Sequence, residues 1–314
     1  MTRCKRYLVL SALFIMLLVI GSAWLIATHL KTPQYVHRSP EQGLHPRDAP
    51  PFNIPHWQGF TGDPKESLGL DYQTVEFAAL DGSTLRGWLV PAARAARLAV
   101  VAVHGGEGDR RSFLRHVPLL HAAGYPVLLF DYREHGISDG DVRGIAFGWR
   151  AHEDVSSAVA FMKQQRGFET VAAMGTSMGA VASILAAAED TTIDAVIAEN
   201  PFTSAVDVLG NSAGFDRLPR WYHQLVAFFV RVHFGRLGEP DAIDVVDKIA
   251  PRPLLLMHGT GDTAVHYSQS QRLYARAGDP KSIWILDGAR HTQLFDVDPM
   301  TFKARVLDFL AAVD

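Results

Sequence analysis

The hydrophobic pattern divides the chain into three zones. Tyr7 to Leu30 is apolar almost throughout and carries no Asp, Glu, Lys or Arg over its 24 residues. As a helix it is long enough to cross a bilayer. Residues 31–70 show no apolar period and hold prolines at positions 33, 40, 46, 50, 51, 55 and 64. This stretch reads as a Pro-rich linker, an extended tether or strap, whose Phe52, Ile54, Trp57 and Phe60 can pack on the domain. From residue 71 to 314 short apolar runs alternate with amphipathic stretches. Gln73–Ala79 alternates, Leu80-Asp-Gly-Ser83 is a turn and Thr84–Val90 returns, which predicts an antiparallel hairpin. Leu98–Val103, Val127–Phe130, Thr170–Met174, Ala195–Ala198, Leu254–Met257 and Ile283–Leu286 are short apolar runs, the mark of strands covered on both faces. Helices are predicted over Arg110–Ala123, Gly148–Gln165, Ala180–Ala188, Tyr267–Ala277 and Asp298–Val313. Strands alternating with helices imply an α/β domain with a mainly parallel sheet and helices on both faces. Residues 204–248 interrupt the alternation and read as a small helical lid insertion. Leu218, Trp221, Tyr222, Leu225, Val226, Phe228, Phe229, Val232 and Phe234 leave little of it polar. Such a helix either packs on the sheet, buried on several sides, or lines an apolar substrate pocket with Trp221 and Phe228 on its wall.

Charge orients the N-terminus. Arg3, Lys5 and Arg6 precede the apolar run, so residues 1–6 are expected in the cytoplasm, 7–30 in the bilayer and the rest on the far side. A cleaved signal peptide is the rival, but its apolar core normally covers only about 7–15 residues. Net charge is −3 with scattered basic residues, which argues against a nucleic-acid partner. Cys4 is the single cysteine, so no internal disulfide can form. None of the 14 histidines sits in a metal-ligand spacing, and no metal or other cofactor is expected.

The chemistry concentrates at strand ends. Gly175-Thr-Ser-Met-Gly179 lies between an apolar strand and an Ala-rich helix. A serine at the apex of a strand–turn–helix is a nucleophile elbow, and its two glycines permit the tight turn. In a parallel sheet the active groups gather at the C-terminal strand ends. His104-Gly-Gly-Glu-Gly108 follows the first buried strand, and its adjacent glycines let backbone N–H groups reach a developing oxyanion. Gly106 is the expected donor with Met178 as its partner, and Glu107 stands second at the same mouth. His258-Gly-Thr-Gly-Asp262 ends in a carboxylate, and Asp287-Gly-Ala-Arg-His291 ends in an imidazole. Ser177 needs a base, His291 titrates near neutrality, and Asp262 would hold the ring. Asp287, Asp296 and Asp298 are rival acids around that base. His104 and His258 read as loop-shaping residues.

With these pieces assembled, the sequence resembles the α/β-hydrolase superfamily, in particular its membrane-anchored, serine aminopeptidase-like branch. The resemblance runs from about Leu68 to the C-terminus through VHGGEG, FDYREHGISDG, GTSMG, ENPFTS, LLLMHGTGD and DGARH. Family members commonly have Asp-Tyr-Arg-Gly-Tyr-Gly where this chain has Asp131-Tyr-Arg-Glu-His-Gly136, and an asparagine where it has Gly106. Arg133 reads as a structural ion-pair residue. The resemblance implies the α/β-hydrolase fold and a Ser177–His291–Asp262 triad acting through an acyl-enzyme. Its expected partners are a small-molecule or lipid-like acyl substrate and the bilayer. A thioesterase or peptidase would use the same triad, and a non-catalytic binding module is the reading from another class.

Overall fold

The computed structural model describes residues 3–31, 62–94, 96–106, 108–133, 135–140, 146–211 and 215–314. In chain order they form α1 (Arg3–Lys31), α2 (Pro64–Leu68), β1 (Gln73–Ala78), β2 (Thr84–Val90) and β3 (Leu98–Val103). Next come a 3₁₀ segment (Arg110–His116), α3 (Val117–Ala123), β4 (Val127–Asp131), α4 (Ala151–Ala160), β5 (Thr170–Thr176) and α5 (Met178–Glu189). Then follow β6 (Ala195–Glu199), α6 (Ala205–Asn211), α7 (Arg220–Phe234), α8 (Ala242–Val245) and β7 (Leu254–Gly259). The chain ends with α9 (Ser268–Arg276), β8 (Lys281–Leu286), α10 (Leu294–Val297) and α11 (Pro299–Ala311).

The strands form one sheet of order β1-β2-β4-β3-β5-β6-β7-β8. The opening hairpin is antiparallel, in the register Gln73↔Leu89 to Ala78↔Thr84, and β2 runs antiparallel to β4. Every pairing from β4 to β8 is parallel. The period of two explains the apolar runs. In β3, Ala99, Val101 and Val103 enter the core layer shared with α4, α5 and α7. Leu98, Val100 and Ala102 enter the opposite layer with α3 and α11.

Three helix boundaries differ from the sequence pattern, each for a local reason. The helix expected over 110–123 is split. Pro118 has no N–H to give the Leu114 carbonyl, and the Val117 N–H takes it at the tighter spacing instead. The helix expected from 148 starts only at Ala151, because Gly148 has φ +92°. It ends in a π turn over Phe161–Gln165. Within the stretch expected to be a tether, Pro64–Leu68 is helical. Asp63 caps it by accepting from the Lys65 and Glu66 N–H groups, Pro64 opens it, and Gly69 closes it at φ +70°. Residues 32–61, with Phe52, Ile54, Trp57 and Phe60, lie outside the described residues.

Among the described residues the insertion holds the helices α6, α7 and α8. Its longest, α7, docks on α1. Ser22 Oγ lies 2.8 Å from Tyr222 Oη and Thr28 Oγ1 3.1 Å from His233 Nε2. The Trp24 ring packs edge-on against Phe229 at 5.3 Å and against His233 at 4.2 Å. Ala23 and Ala27 are fully buried in the same contact. The pocket-wall expectation for Trp221 and Phe228 is corrected here. His223, Val226 and Val230 carry the core-facing side of α7, whereas Trp221 and Phe228 sit about half a turn away and are 55% and 48% exposed. An α-helix places i and i+7 on one face, so these two aromatics share the outer side.

Candidate active site

Ser177 sits between β5 and α5 with φ +53° and ψ −119°. This region is rare for a residue with a Cβ, and the surrounding glycines fix it. A Cβ on Gly175 would lie 2.3 Å from the Gly179 carbonyl oxygen. One on Gly179 would lie 2.2 Å from the Val103 oxygen and 2.3 Å from the His104 oxygen. The Ser177 N–H donates to the Glu199 carbonyl at 2.8 Å, which ties the apex to β6. Because the backbone is strained, Ser177→Gly is expected to be more stable than Ser177→Ala by about 1 kcal/mol. Urea unfolding of the two variants side by side checks this, and equal midpoints would show an unstrained apex.

His291 links two partners. Its Nε2 lies 2.9 Å from Ser177 Oγ and its Nδ1 2.6 Å from Asp262 Oδ2. Asp262 is itself held from several sides. Oδ2 also accepts from Asn200 Nδ2 at 2.8 Å and lies 3.1 Å from His258 Nε2. Oδ1 accepts from the N–H groups of Ala264 at 2.9 Å and Val265 at 2.8 Å. Burial alone would push this carboxyl up. The hydrogen bonds from His258 and His291, with the backbone donor of Val265, outweigh it and hold Asp262 below the usual carboxylate range. The rival acids are engaged elsewhere. Asp287 accepts from Thr260 Oγ1, Asp296 pairs with Arg115, and Asp298 caps α11 through the Thr301 N–H.

The loop after β3 lies over the elbow. A Cβ on Gly105 would be 3.6 Å from Ser177 Cβ, and one on Gly106 3.2 Å from Met178 Sδ. Tyr132 Oη donates to the Gly105 carbonyl at 2.9 Å, and His135 Nε2 lies 3.0 Å from the Gly106 carbonyl. In a trans peptide the N–H points opposite the preceding C=O, so fixing the Gly105 carbonyl on Tyr132 turns the Gly106 N–H the other way. Met178 opens α5, so its N–H has no intrahelical acceptor. Glu107 lies outside the described residues. Arg133 is ion-paired with Asp154, Asp81 and Glu153 at 2.7, 2.5 and 2.5 Å.

Tyr132, His135 and Asn200 are positioning residues that sequence reasoning did not single out. The departure at His135 from the commoner glycine–tyrosine pattern was the available signal. Its ring reaches the Gly106 carbonyl that the loop needs pinned.

His104 is wholly buried, stacked on Tyr132 at 4.0 Å, and burial, aided by nearby His135, pushes its imidazole down to about 3. In the unfolded chain the group titrates near 6.5. Between those values the unfolded state holds a proton that the folded state does not. Its contribution is therefore fully present above about pH 6.5 and is lost as pH falls toward 3. Unfolding free energy is expected to drop with acidification by up to about 1.4 kcal/mol per pH unit from this residue. Denaturant titrations at pH 6, 5 and 4 check it. A His104→Gln variant with the parent's slope would exclude His104 as the source.

Among the described residues, one trio brings ligand atoms within 4.8 Å of one another: His152, Glu189 and Glu239. Arg236 lies 3.1 Å from Glu239 and already supplies that carboxylate's counter-charge.

A mainly parallel eight-stranded sheet with a serine on a strained strand–helix turn is the α/β-hydrolase fold. The profile of the family described as serine aminopeptidase, S33 matches residues 94–238. The chain is similar to the uncharacterized protein YqkD of Bacillus subtilis, 28% identical over 217 residues, 67% of this chain and 70% of that one. Among solved structures it is similar to the esterase Pf2001 of Pyrococcus furiosus, with a TM-score of 0.66 and 26% identity over 80% of this chain and 96% of that one. The α/β hydrolase GrgF of Penicillium sp. sh18 aligns with a TM-score of 0.65 and 25% identity over 78% and 99% of the two chains. The chain has the α/β-hydrolase fold, and the family profile and the hydrolase neighbours support a hydrolase of that superfamily.

Proposed function

We propose that the protein is a membrane-tethered serine hydrolase that cleaves carboxylic acyl esters. The observation that carries this reading is the hydrogen-bonded line from Ser177 Oγ through His291 to Asp262. His291 takes the hydroxyl proton as Ser177 Oγ attacks the acyl carbonyl. Asp262, kept ionised, orients the ring and favours the imidazolium that forms. The Gly106 and Met178 N–H groups receive the oxyanion. His291 then protonates the departing alkoxide, leaving an acyl-Ser177. Water, deprotonated by the same ring, releases the acid and restores the serine. The likeness to the Pf2001 esterase supports an ester over other acyl bonds. The serine aminopeptidase profile supports a second reading, peptide hydrolysis at the same site.

Labelling with a fluorophosphonate tests the nucleophile, and a panel of acyl esters, thioesters and aminoacyl amides tests the bond. Labelling at Ser177 with turnover confined to esters is the expected result. Labelling elsewhere would remove the assignment, and turnover confined to amides would replace ester by peptide.

The tether rests on α1, whose Lys5–His29 portion is long and apolar enough to cross a membrane. A signal sequence passes the same test, but one cleaved after export would have no use for the Ser22–Tyr222 and Thr28–His233 contacts. With Arg3, Lys5 and Arg6 cytoplasmic, protease added outside intact cells or spheroplasts should reach the hydrolase domain and spare a tag before Arg3. A protected domain would reverse the orientation.

A further inference from the structure

The helix α7 is apolar on three sides. His223, Val226 and Val230 face the core, and Tyr222, Phe229 and His233 meet α1. Among the described residues nothing lies over the remaining side, where Trp221, Phe228 and Val232 are 55%, 48% and 36% exposed. Leu218 and Leu237 extend the exposed apolar strip at either end, at 37% and 59%. A contiguous strip of large apolar side chains on one helix face marks an interaction surface.

We infer that this outer face of α7 lies in the headgroup–acyl layer of a phospholipid bilayer, beside the end of α1. Continuity identifies the occupant. α1 exposes Tyr7, Leu8, Phe14, Leu17 and Leu25 at 62% or more of their surface, and its apolar surface runs directly onto α7 through Trp24. Whatever solvent covers α1 therefore also reaches Trp221 and Phe228. Geometry sets the depth. From Ser22 to Thr28 the chain advances about 9 Å along α1, while the matching contacts Tyr222 to His233 advance about 16 Å along α7. With 15 residues, about 22 Å, α7 is too short for a second span, as expected for an interfacial helix. The 25 residues of Lys5–His29 cover about 37 Å as helix and exceed a hydrocarbon core of about 30 Å, which brings the Trp24–Thr28 end to the interface. Arg217 and Arg220, exposed at the start of α7, stand where lipid phosphates would meet them, although Arg220 also pairs with Asp207.

The opposite, core-facing side of α7 packs on α6, which reaches toward the candidate site. A Cβ on Gly210 at the end of α6 would touch the His223 ring at 3.3 Å. Gly210 also lines a cavity of about 420 Å³ with Asn211, Thr260, Asp262 and His266.

The inference rests on the membrane-crossing reading of α1, and the test separates the two. Full-length protein carrying Cys4→Ser is given a single cysteine by Phe228→Cys, Trp221→Cys, Leu13→Cys or Ala304→Cys. Each is labelled with a nitrobenzoxadiazole dye and reconstituted into phosphatidylcholine vesicles with or without lipid spin-labelled both near the headgroup and at mid-chain. Emission at 228 and 221 is expected to fall at least twofold with spin-labelled lipid, and emission at 304 on α11 to stay unchanged. Quenching at residue 13 with none at 228 or 221 would overturn the inference and leave the tether standing. A blue-shifted but unquenched signal at 228 would mean a second protein copy covers the face, and would also overturn it. No quenching even at residue 13 would remove the tether and the inference together.

Discussion

Ser177→Ala is expected to lower kcat on a good ester by about 10⁴- to 10⁶-fold while the protein stays folded. Ser177 Oγ is the atom 2.9 Å from His291 Nε2, so the variant loses the attacking group and nothing else in the network. His291→Ala should cost a similar factor, because the hydroxyl then has no base. The double variant should be no worse than either single one, since the two groups act in one step. Asp262→Asn keeps the shape but gives His291 Nδ1 a donor in place of part of its acceptor. It should lose less than Ser177→Ala and more than any residue outside the line. Steady-state kinetics with a far-ultraviolet spectrum of each variant measures this. A Ser177→Ala protein that still turns over within tenfold of the parent would end the proposal, whatever the structure of the loop around it.

The fold was legible because its strands are short, apolar and spaced by helices. The runs predicted from Leu98 to Leu286 all became strands, each extended by at most a few residues. The order of the loops bearing Ser177, Asp262 and His291 was equally legible, since parallel topology places strand ends on one edge. Illegible parts share a different cause: they depend on contacts distant in sequence. Nothing local to Asn200 marks it as a donor to Asp262, 62 positions on, and nothing near Tyr132 marks it as a donor to Gly105. The same holds for α7. Its apolar richness was visible, but periodicity cannot say which of three apolar faces meets the core, which meets α1 and which is left outside. Apolar richness alone therefore suggests an inner wall for Phe228, whereas its 48% exposure beside Trp221 puts it outside. The helix at Pro64–Leu68 is too short to show an apolar period, although Asp63, Pro64 and Gly69 spell its start and stop.

Gly179→Ala is expected to damage stability and turnover together, and more severely than substitution at a glycine with open space around it. The added methyl would stand 2.2 Å from the Val103 oxygen and 2.3 Å from the His104 oxygen, both backbone atoms at the end of β3. A backbone carbonyl in the central strand cannot swing aside as a side chain can. Relief must come from the first turn of α5 moving off the sheet by about 1 Å, the gap between these distances and an ordinary contact. Overpacking against fixed atoms costs about 1–3 kcal/mol or more. The same movement carries Ser177 and the Met178 N–H away from His291 and from the Gly105–Gly106 loop. A misplacement of about 1 Å at reacting groups is worth roughly 10²-fold in rate. Gly238→Ala is the control. Gly238 has φ +89°, but a Cβ there meets nothing within 4 Å. Only the backbone cost of about 1 kcal/mol applies, and kcat should hold. Thermal unfolding and kcat measured on both variants separate steric from conformational effects. If Gly179→Ala matched Gly238→Ala in both, the close approach of α5 to β3 would not be what positions the nucleophile.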